Sequence, residues 1–266
     1  MKIGVIGAGR LGICFALLCE QAGYDVLVSD VREDYVKNLR NKFISTNEPE
    51  VSKLLSTSPR LSATNSNSKV IRDCDIIYTL VATPSKRDGS YDVSAVWDVV
   101  QDMKNVKKIE GKAFVVGCTT NPGDCKEFQK ELDKSGVDVF YNPEFIAQGT
   151  IIKDLRTADM VLIGGKRNDT YDQLCEIYNR IQETPPKISI MSTTAAELVK
   201  LAVNCFLTTK ISYANMVGQV MALSGMEEEI PTVLGAIGDD SRIGRKYLNF
   251  GFGFGGPCLP RDNRAF

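Results

Sequence analysis

Hydrophobic positions fall into short runs separated by polar turns. Residues 2–6 form one run, a glycine turn follows, and residues 11–22 are apolar with a helical period before a second run at 26–28. This predicts strand, turn, helix, strand. The alternation continues with strands predicted at 76–81, 113–116 and 137–141, another ending over 161–165, and a last at 188–190. Helices are predicted at 93–103 and 171–181. Strands alternating with helices predict an α/β fold with a mostly parallel, Rossmann-type sheet covered on both faces. The polar, serine-rich stretch 46–68 reads as loop with a short helix.

The pattern changes after Pro185-Pro186. From Thr194 to about Ser224 the sequence reads as one helix with Gly225 as its stop, about 45 Å long at 1.5 Å per residue. Thr194-Ala195-Ala196-Glu197 has the form of a capping box at its start. Further helix is predicted over 227–237. The expected organisation is a Rossmann domain over 1–192 and an all-helical domain over 193–266.

Composition narrows the chemistry. The chain has 266 residues, 32 basic and 33 acidic side chains, and no histidine. A net charge of −1 gives no electrostatic case for nucleic acid or an anionic membrane surface. Without histidine this chain cannot build a Ser-His-Asp triad, a Cys-His pair or a His-ligated zinc, and no metal site is expected. Acid–base work falls to Lys, Asp, Glu, Tyr, Cys or water. The eight cysteines are scattered through apolar segments with no CxxC pair, which reads as reduced thiols in a cytoplasm-like compartment. No stretch reaches the roughly 18 apolar residues of a membrane span.

Four motifs carry candidate chemistry. Gly7-Ala8-Gly9-Arg10-Leu11-Gly12 follows a strand and opens a helix, and the next strand ends at Asp30. Gly7 allows the tight turn, Gly9 lets the backbone approach a pyrophosphate, and Gly12 lets the helix pack close to the sheet. Asp30 can accept from a ribose 2′-hydroxyl, which favours NAD over NADP, although Arg32 stands nearby. The second motif, Gly251 to Asp262, is a loop rich in glycine and proline that contains Cys258 as a candidate nucleophile. Taken alone, Cys258 also reads as an inert buried thiol. Third, Lys200 and Asn204 share a helix face, where they can hold an oxyanion or orient water, or form an exposed polar stripe. Fourth, Asn142-Pro143-Glu144-Phe145 follows a strand, as do Thr83-Pro84 and Cys118-Thr119. Loops at strand carboxyl ends line the ligand crevice of such sheets. Glu144 could be a general base or a capping carboxylate.

Together and in this order, these motifs resemble the UDP-glucose/GDP-mannose dehydrogenase family. The match includes GAGRLG with Asp30, Thr83-Pro84, Cys118-Thr119, 142–145, Glu197 to Lys200 with Asn204, Ser241-Arg242-Ile243-Gly244, and Phe254 to Cys258 with Asp262. The resemblance implies NAD-dependent oxidation of a nucleotide-sugar C6 alcohol to the carboxylate in two hydride transfers. UDP-glucose is the first expectation, GDP-mannose the second and N-acetylated UDP-sugars the third.

By the resemblance, Cys258 forms a thiohemiacetal and then a thioester, while Lys200 and Asn204 stabilise oxyanions. Asp262 positions or activates water, and Glu144 and Thr119 serve hydrolysis. Gly7, Gly9, Arg10, Leu11, Gly12, Asp30, Thr83 and Thr119 would contact NAD. Phe145, Gln148, Lys200, Asn204, Tyr247 and Gly255 would contact substrate, and Arg242 would reach the substrate of a neighbouring subunit. The long helix would build a homodimer. Gln148 stands where the family often has a second glutamate, and an amide cannot take a proton. The family continues into a further nucleotide-sugar-binding domain, which is expected to be absent from these 266 residues. Two other readings compete: a dehydrogenase of hydroxy acids or acyl thioesters that needs no cysteine, and an NAD-binding dimerisation protein without turnover.

Overall fold

A computed structural model describes residues 1–266. The chain opens with β1 (Lys2–Ile6), α1 (Arg10–Gln21) and β2 (Asp25–Ser29), followed by α2 (Glu33–Arg40), α3 (Val51–Ser56) and β3 (Leu61–Thr64). Then come α4 (Asn67–Asp73), β4 (Ile76–Thr79), α5 (Ser94–Asn105), β5 (Ala113–Val116), α6 (Asp124–Leu132) and β6 (Asp138–Tyr141). The sheet is completed through α7 (Ile151–Arg156), β7 (Val161–Gly164), α8 (Asp169–Ile181) and β8 (Ile188–Met191). Last are α9 (Thr193–Leu223), α10 (Ile230–Asp239) and α11 (Leu259–Ala265).

One eight-stranded sheet runs in the order β3-β2-β1-β4-β5-β6-β7-β8. The pairs from β3 to β6 are parallel, β7 is antiparallel to β6, and β8 is parallel to β7. All four residues of β4 and of β5 are buried, as expected of strands covered on both faces. The order places the carboxyl ends of β1, β4, β5 and β6 side by side on one edge. The glycine turn, Thr83, Thr119 and Glu144 all follow those ends. The predicted α/β class with its parallel sheet, followed by a helical region, is the observed fold.

Two expectations need correction. The stretch 46–68 contains β3, paired with β2 from Val26↔Leu61 to Ser29↔Thr64. Leu-Ser-Ala-Thr has one large apolar residue, so its extended form comes from the partner strand rather than from its own alternation. The capping box also fails. Ser192 Oγ accepts from the Ala195 amide, and α9 starts at Thr193. Glu197 turns elsewhere, as described below. Gly225, at a φ of 74°, follows the end of α9.

Packing divides the chain into two compact units. One comprises Met1–Pro84 and Tyr91–Glu197, the other Ser85–Ser90 and Leu198–Phe266. In the first, the rings of Phe15, Tyr78 and Tyr178 pack at a tilt within the core, with Phe15 at 4.6 Å from Tyr78 and 6.2 Å from Tyr178. In the second, Ala214, Met221, Ile230, Leu234 and Leu248 form a small core. No helix is long and apolar enough to cross a membrane.

Candidate active site

The glycine turn has the shape its residues require. Gly7 has a φ of 94°, and a Cβ there would stand 2.7 Å from the Leu80 carbonyl oxygen. A Cβ on Gly12 would lie 2.0 Å from the Gly7 carbonyl oxygen, so α1 packs as close as a glycine allows. A Cβ on Gly9 would meet nothing within 4 Å. The open space lies over the residue that precedes the first turn of α1, whose amides no side chain caps. Beside it is a cleft of about 370 Å³ lined by Gly9, Arg10, Arg32, Tyr35 and Thr46 among others. Backbone donors at a helix start, with room above them, fit a pyrophosphate.

At the end of β2, both carboxylate oxygens of Asp30 are engaged by Arg32, with Nε to Oδ1 at 2.8 Å and Nη2 to Oδ2 at 2.9 Å. Burial raises the carboxyl, but these bonds and charges from Arg32 outweigh it and hold it below the usual range. Arg32 also lies over the Tyr35 ring, 4.1 Å from its centroid. A ribose diol would share Asp30 with this guanidinium. Arg10, which lines the same cleft, donates from Nη1 to Gln148 Oε1 at 2.8 Å.

Thr119 is half-buried at the end of β5, and Thr83 is buried after β4. Asn142, directly after β6, is 2% exposed and donates from Nδ2 to the Leu162 carbonyl at 2.9 Å. Its Oδ1 lies 2.6 Å from the Tyr178 hydroxyl, which is also 2.5 Å from Glu144 Oε1.

Glu197 is fully buried on the first turns of α9. Its carboxylate accepts from Thr120 Oγ1 at 3.0 Å and from the amides of Gly123 and Cys125 at 2.6 and 2.8 Å. It therefore caps the start of α6. Burial raises its carboxyl above the ordinary value, and these hydrogen bonds oppose that only in part.

In the second unit, Lys200 and Asn204 lie one turn apart on α9. Asn204 Nδ2 donates to Asp262 Oδ2 on α11. Asp262 is 2% exposed, and its amide donates to the Cys258 carbonyl at 3.0 Å. Cys258 precedes α11 and is exposed, whereas every other cysteine is buried or half-buried. Arg261 Nε donates to Ser85 Oγ at 3.0 Å. Asn204, Asp262 and Cys258 are thus joined through two helices, with Lys200 one turn before Asn204 on α9. Arg242 and Tyr247 are exposed in the segment after α10, with Arg242 paired to Asp240 at 2.6 Å and Tyr247 at a φ of 66°. Gly255 is exposed with open space about it, and Phe145 is half-buried.

Comparison with known proteins settles the family. The NAD-binding domain of the UDP-glucose/GDP-mannose dehydrogenase family matches residues 1–182, and the family's central domain matches residues 194–266. The chain belongs to the UDP-glucose/GDP-mannose dehydrogenase family. Its first domain is that family's NAD-binding domain.

Among relatives within the family, the chain is 32% identical to a UDP-glucose 6-dehydrogenase of Bacillus subtilis, covering 99% of this chain and 58% of the relative. It is 31% identical to the UDP-glucose 6-dehydrogenase of Pseudomonas aeruginosa, covering 100% and 60% respectively. A solved UDP-glucose dehydrogenase from Pyrobaculum islandicum superimposes with a TM-score of 0.88 at 30% identity, over 99% of this chain and 62% of that one. A ternary complex of GDP-mannose dehydrogenase from Pseudomonas aeruginosa gives 0.81 at 29% identity, over 100% and 63%. The chain therefore spans about three fifths of the length of these family members.

The bonding of two groups is not visible in the sequence. Glu197 reads as part of its own helix, although its partners lie 72 to 77 residues earlier. Its signal was an acid among apolar residues at a helix start. Tyr178 lies on the buried face of α8 and shows nothing in the sequence to separate it from a core residue.

Proposed function

We propose that the chain is the NAD-binding and catalytic part of a nucleotide-sugar 6-dehydrogenase, with residues 1–192 as the cofactor domain and 193–266 as the helical catalytic domain. The reaction oxidises the C6 alcohol of a UDP-linked sugar to the carboxylate in two successive hydride transfers. UDP-glucose is the preferred substrate, because relatives of about 30% identity carry that name.

The observation that carries the proposal is the joining of Cys258, Asp262 and Asn204, with Lys200 one turn away. An exposed thiol one helical turn before a buried carboxylate that is bonded to Asn204 suits thioester chemistry and has no use in a simple alcohol oxidation. Gly7, Gly9, Arg10, Leu11, Gly12, Asp30, Thr83 and Thr119 would hold NAD, which when bound supplies the two-electron acceptor for each oxidation.

The chain's own groups do the rest. Cys258 Sγ adds to the aldehyde carbon, and the adduct is a thiohemiacetal whose oxidation leaves a thioester on the sulfur. Lys200 and the second N–H of Asn204 donate to the oxygen that becomes negative at each stage. Water held by Thr119 attacks the thioester, with Glu144 and Asp262 handling its protons, and Cys258 leaves as thiolate. Phe145, Gln148, Tyr247, Gly255 and, from a second copy, Arg242 would position the sugar nucleotide.

A homodimer through α9 is part of this reading. Phe206, Tyr213 and Val220, and Met216 and Leu223, are exposed apolar residues at seven-residue spacing. Such a seam suits a second helix. Eight unpaired cysteines suit a reducing, cytoplasmic setting.

The test is NADH formation with UDP-glucose, GDP-mannose or no sugar, for the chain and for Cys258→Ser. Two NADH per UDP-glucose, with no uronate from the variant, is the expected result. Two NADH with GDP-mannose alone would reassign the substrate. A variant as active as the parent would overturn the thioester route in favour of a single oxidation.

A further inference from the structure

Asn142, Tyr178 and Glu144 place three oxygens in a row in the first unit. Tyr178 Oη is 2.6 Å from Asn142 Oδ1 and 2.5 Å from Glu144 Oε1, both within hydrogen-bonding range. The direction of the Asn142 amide is fixed by its other end, where Nδ2 donates to the Leu162 carbonyl at 2.9 Å. A flipped amide would set oxygen against that carbonyl oxygen, so Oδ1 faces the phenol and can only accept. Two short oxygen–oxygen contacts need two protons. A phenol owns one, an amide oxygen none, and the second must come from the carboxyl group.

We propose that Glu144 is protonated at rest and donates to Tyr178 Oη, while the Tyr178 hydroxyl donates its hydrogen bond to Asn142 Oδ1, so that Tyr178 is the positioning residue for this acid. The surroundings suit a neutral carboxyl. Glu144 itself is half-buried, its partners Tyr178 and Asn142 are 1% and 2% exposed, and Phe15 packs beside the Tyr178 ring. The titratable groups around Tyr178 include Cys19 of α1 and Tyr78 of β4. Burial pushes the Cys19 thiol and the Tyr78 and Tyr178 hydroxyls well above their ordinary values, so all three stay neutral.

The consequence rests on the function proposed above. A neutral Glu144 cannot take a proton from the attacking water, so the part of thioester hydrolysis that uses Glu144 as base waits until that proton has left for solvent. The hydrolytic step then rises with pH through a single deprotonation, whereas an ionised base would be ready at neutral pH.

Infrared difference spectroscopy of the 266-residue protein against Glu144→Gln tests the protonation state at neutral pH without substrate. The expected difference is the carbonyl stretch of a protonated carboxylic acid, lost in Glu144→Gln and shifted in Tyr178→Phe. A carboxylate band in its place overturns the proposal, whether or not the protein oxidises a nucleotide sugar. A protonated band in a protein without turnover leaves this proposal standing and removes the proposed reaction. A folded Tyr178→Phe with an unshifted band overturns the role of Tyr178. If that variant does not fold, the parent spectrum against Glu144→Gln decides.

Discussion

Asn204 Nδ2 donates to the carboxylate of Asp262, 58 residues further along the chain, and so ties α9 to the short helix that follows Cys258. Asp262 is 2% exposed, so the pair sits where an unmet carboxylate is costly. Removing either partner therefore removes most of what the pair contributes. Asn204→Ala and Asp262→Ala should couple in a double-mutant cycle by about 1–3 kcal/mol, read from chemical unfolding. Additive effects would show that the two groups do not share an interaction.

Cys258 should be the one fast-reacting thiol of the folded protein. It alone among eight cysteines is exposed. Burial pushes the thiols of Cys14, Cys74 and Cys118 up to about 12 and those of Cys19 and Cys125 well above the ordinary value. Because the thiolate is the reactive form, these five are silent on both counts. A thiol reagent should show one fast equivalent in the native protein and none in Cys258→Ser. Burial also raises the thiols of the half-buried Cys175 and Cys205, so two or more fast equivalents would show that one of these reacts as well.

Glu197 gives stability a pH dependence of its own. Its three donors, Thr120 Oγ1 and the amides of Gly123 and Cys125, are left without an acceptor in Glu197→Ala, which should cost about 3 kcal/mol. Its folded carboxyl is raised by burial, so the unfolded chain loses this proton first. The contribution is fully present below the ordinary carboxylate value of 4.5 and is lost as pH rises through the folded value. Thermal unfolding across mildly acidic pH should show this decline in the parent and not in Glu197→Gln. A parent whose stability rises there by the same amount as the variant's would show that Glu197 titrates normally.

What the sequence made legible follows from the range of the interactions. The turn from Gly7 to Gly12 could be read because its constraints are local: two of its three glycines stand where a Cβ would strike backbone. The strands β4 and β5 could be read because continuous burial leaves continuous apolar runs. Strand β3 could not, because its pairing with β2 supplies what its own residues lack. Cys258, Asn204 and Asp262 could be named from motif resemblance, but their mutual bonding is a property of α9 and α11 packing. The Asn142–Tyr178–Glu144 row joins residues 34 to 36 apart through side chains alone.

Arg32 is the competitor for the cofactor ribose. It occupies both oxygens of Asp30, and its own side chain is 56% exposed against 7% for Asp30. An exposed partner adds little to stability but competes for the acceptors a ribose diol needs. Arg32→Ala should leave the unfolding midpoint nearly unchanged and tighten NAD binding several-fold, while Asp30→Ser with Arg32 retained should raise affinity for NADP relative to NAD. Calorimetric titration of both cofactors checks this. NAD affinity that falls in Arg32→Ala would mean that the guanidinium contacts the cofactor instead.

Gly9 and Gly12 separate binding from folding within a single turn. An alanine at Gly12 would put its Cβ 2.0 Å from the Gly7 carbonyl oxygen, and α1 cannot retreat without losing its burial against the sheet. Gly12→Ala should therefore destabilise the protein by at least about 2 kcal/mol, as overpacking against fixed backbone does. An alanine at Gly9 meets nothing within 4 Å, and Gly9 has a φ of −63°, which any residue adopts. Gly9→Ala should fold as the parent does and still lose NAD affinity, because the methyl group fills the space a pyrophosphate would take above the first amides of α1. Unfolding curves and NAD titrations on the two variants give opposite signatures if this holds. Gly9→Ala with unchanged NAD affinity would place the pyrophosphate away from this turn.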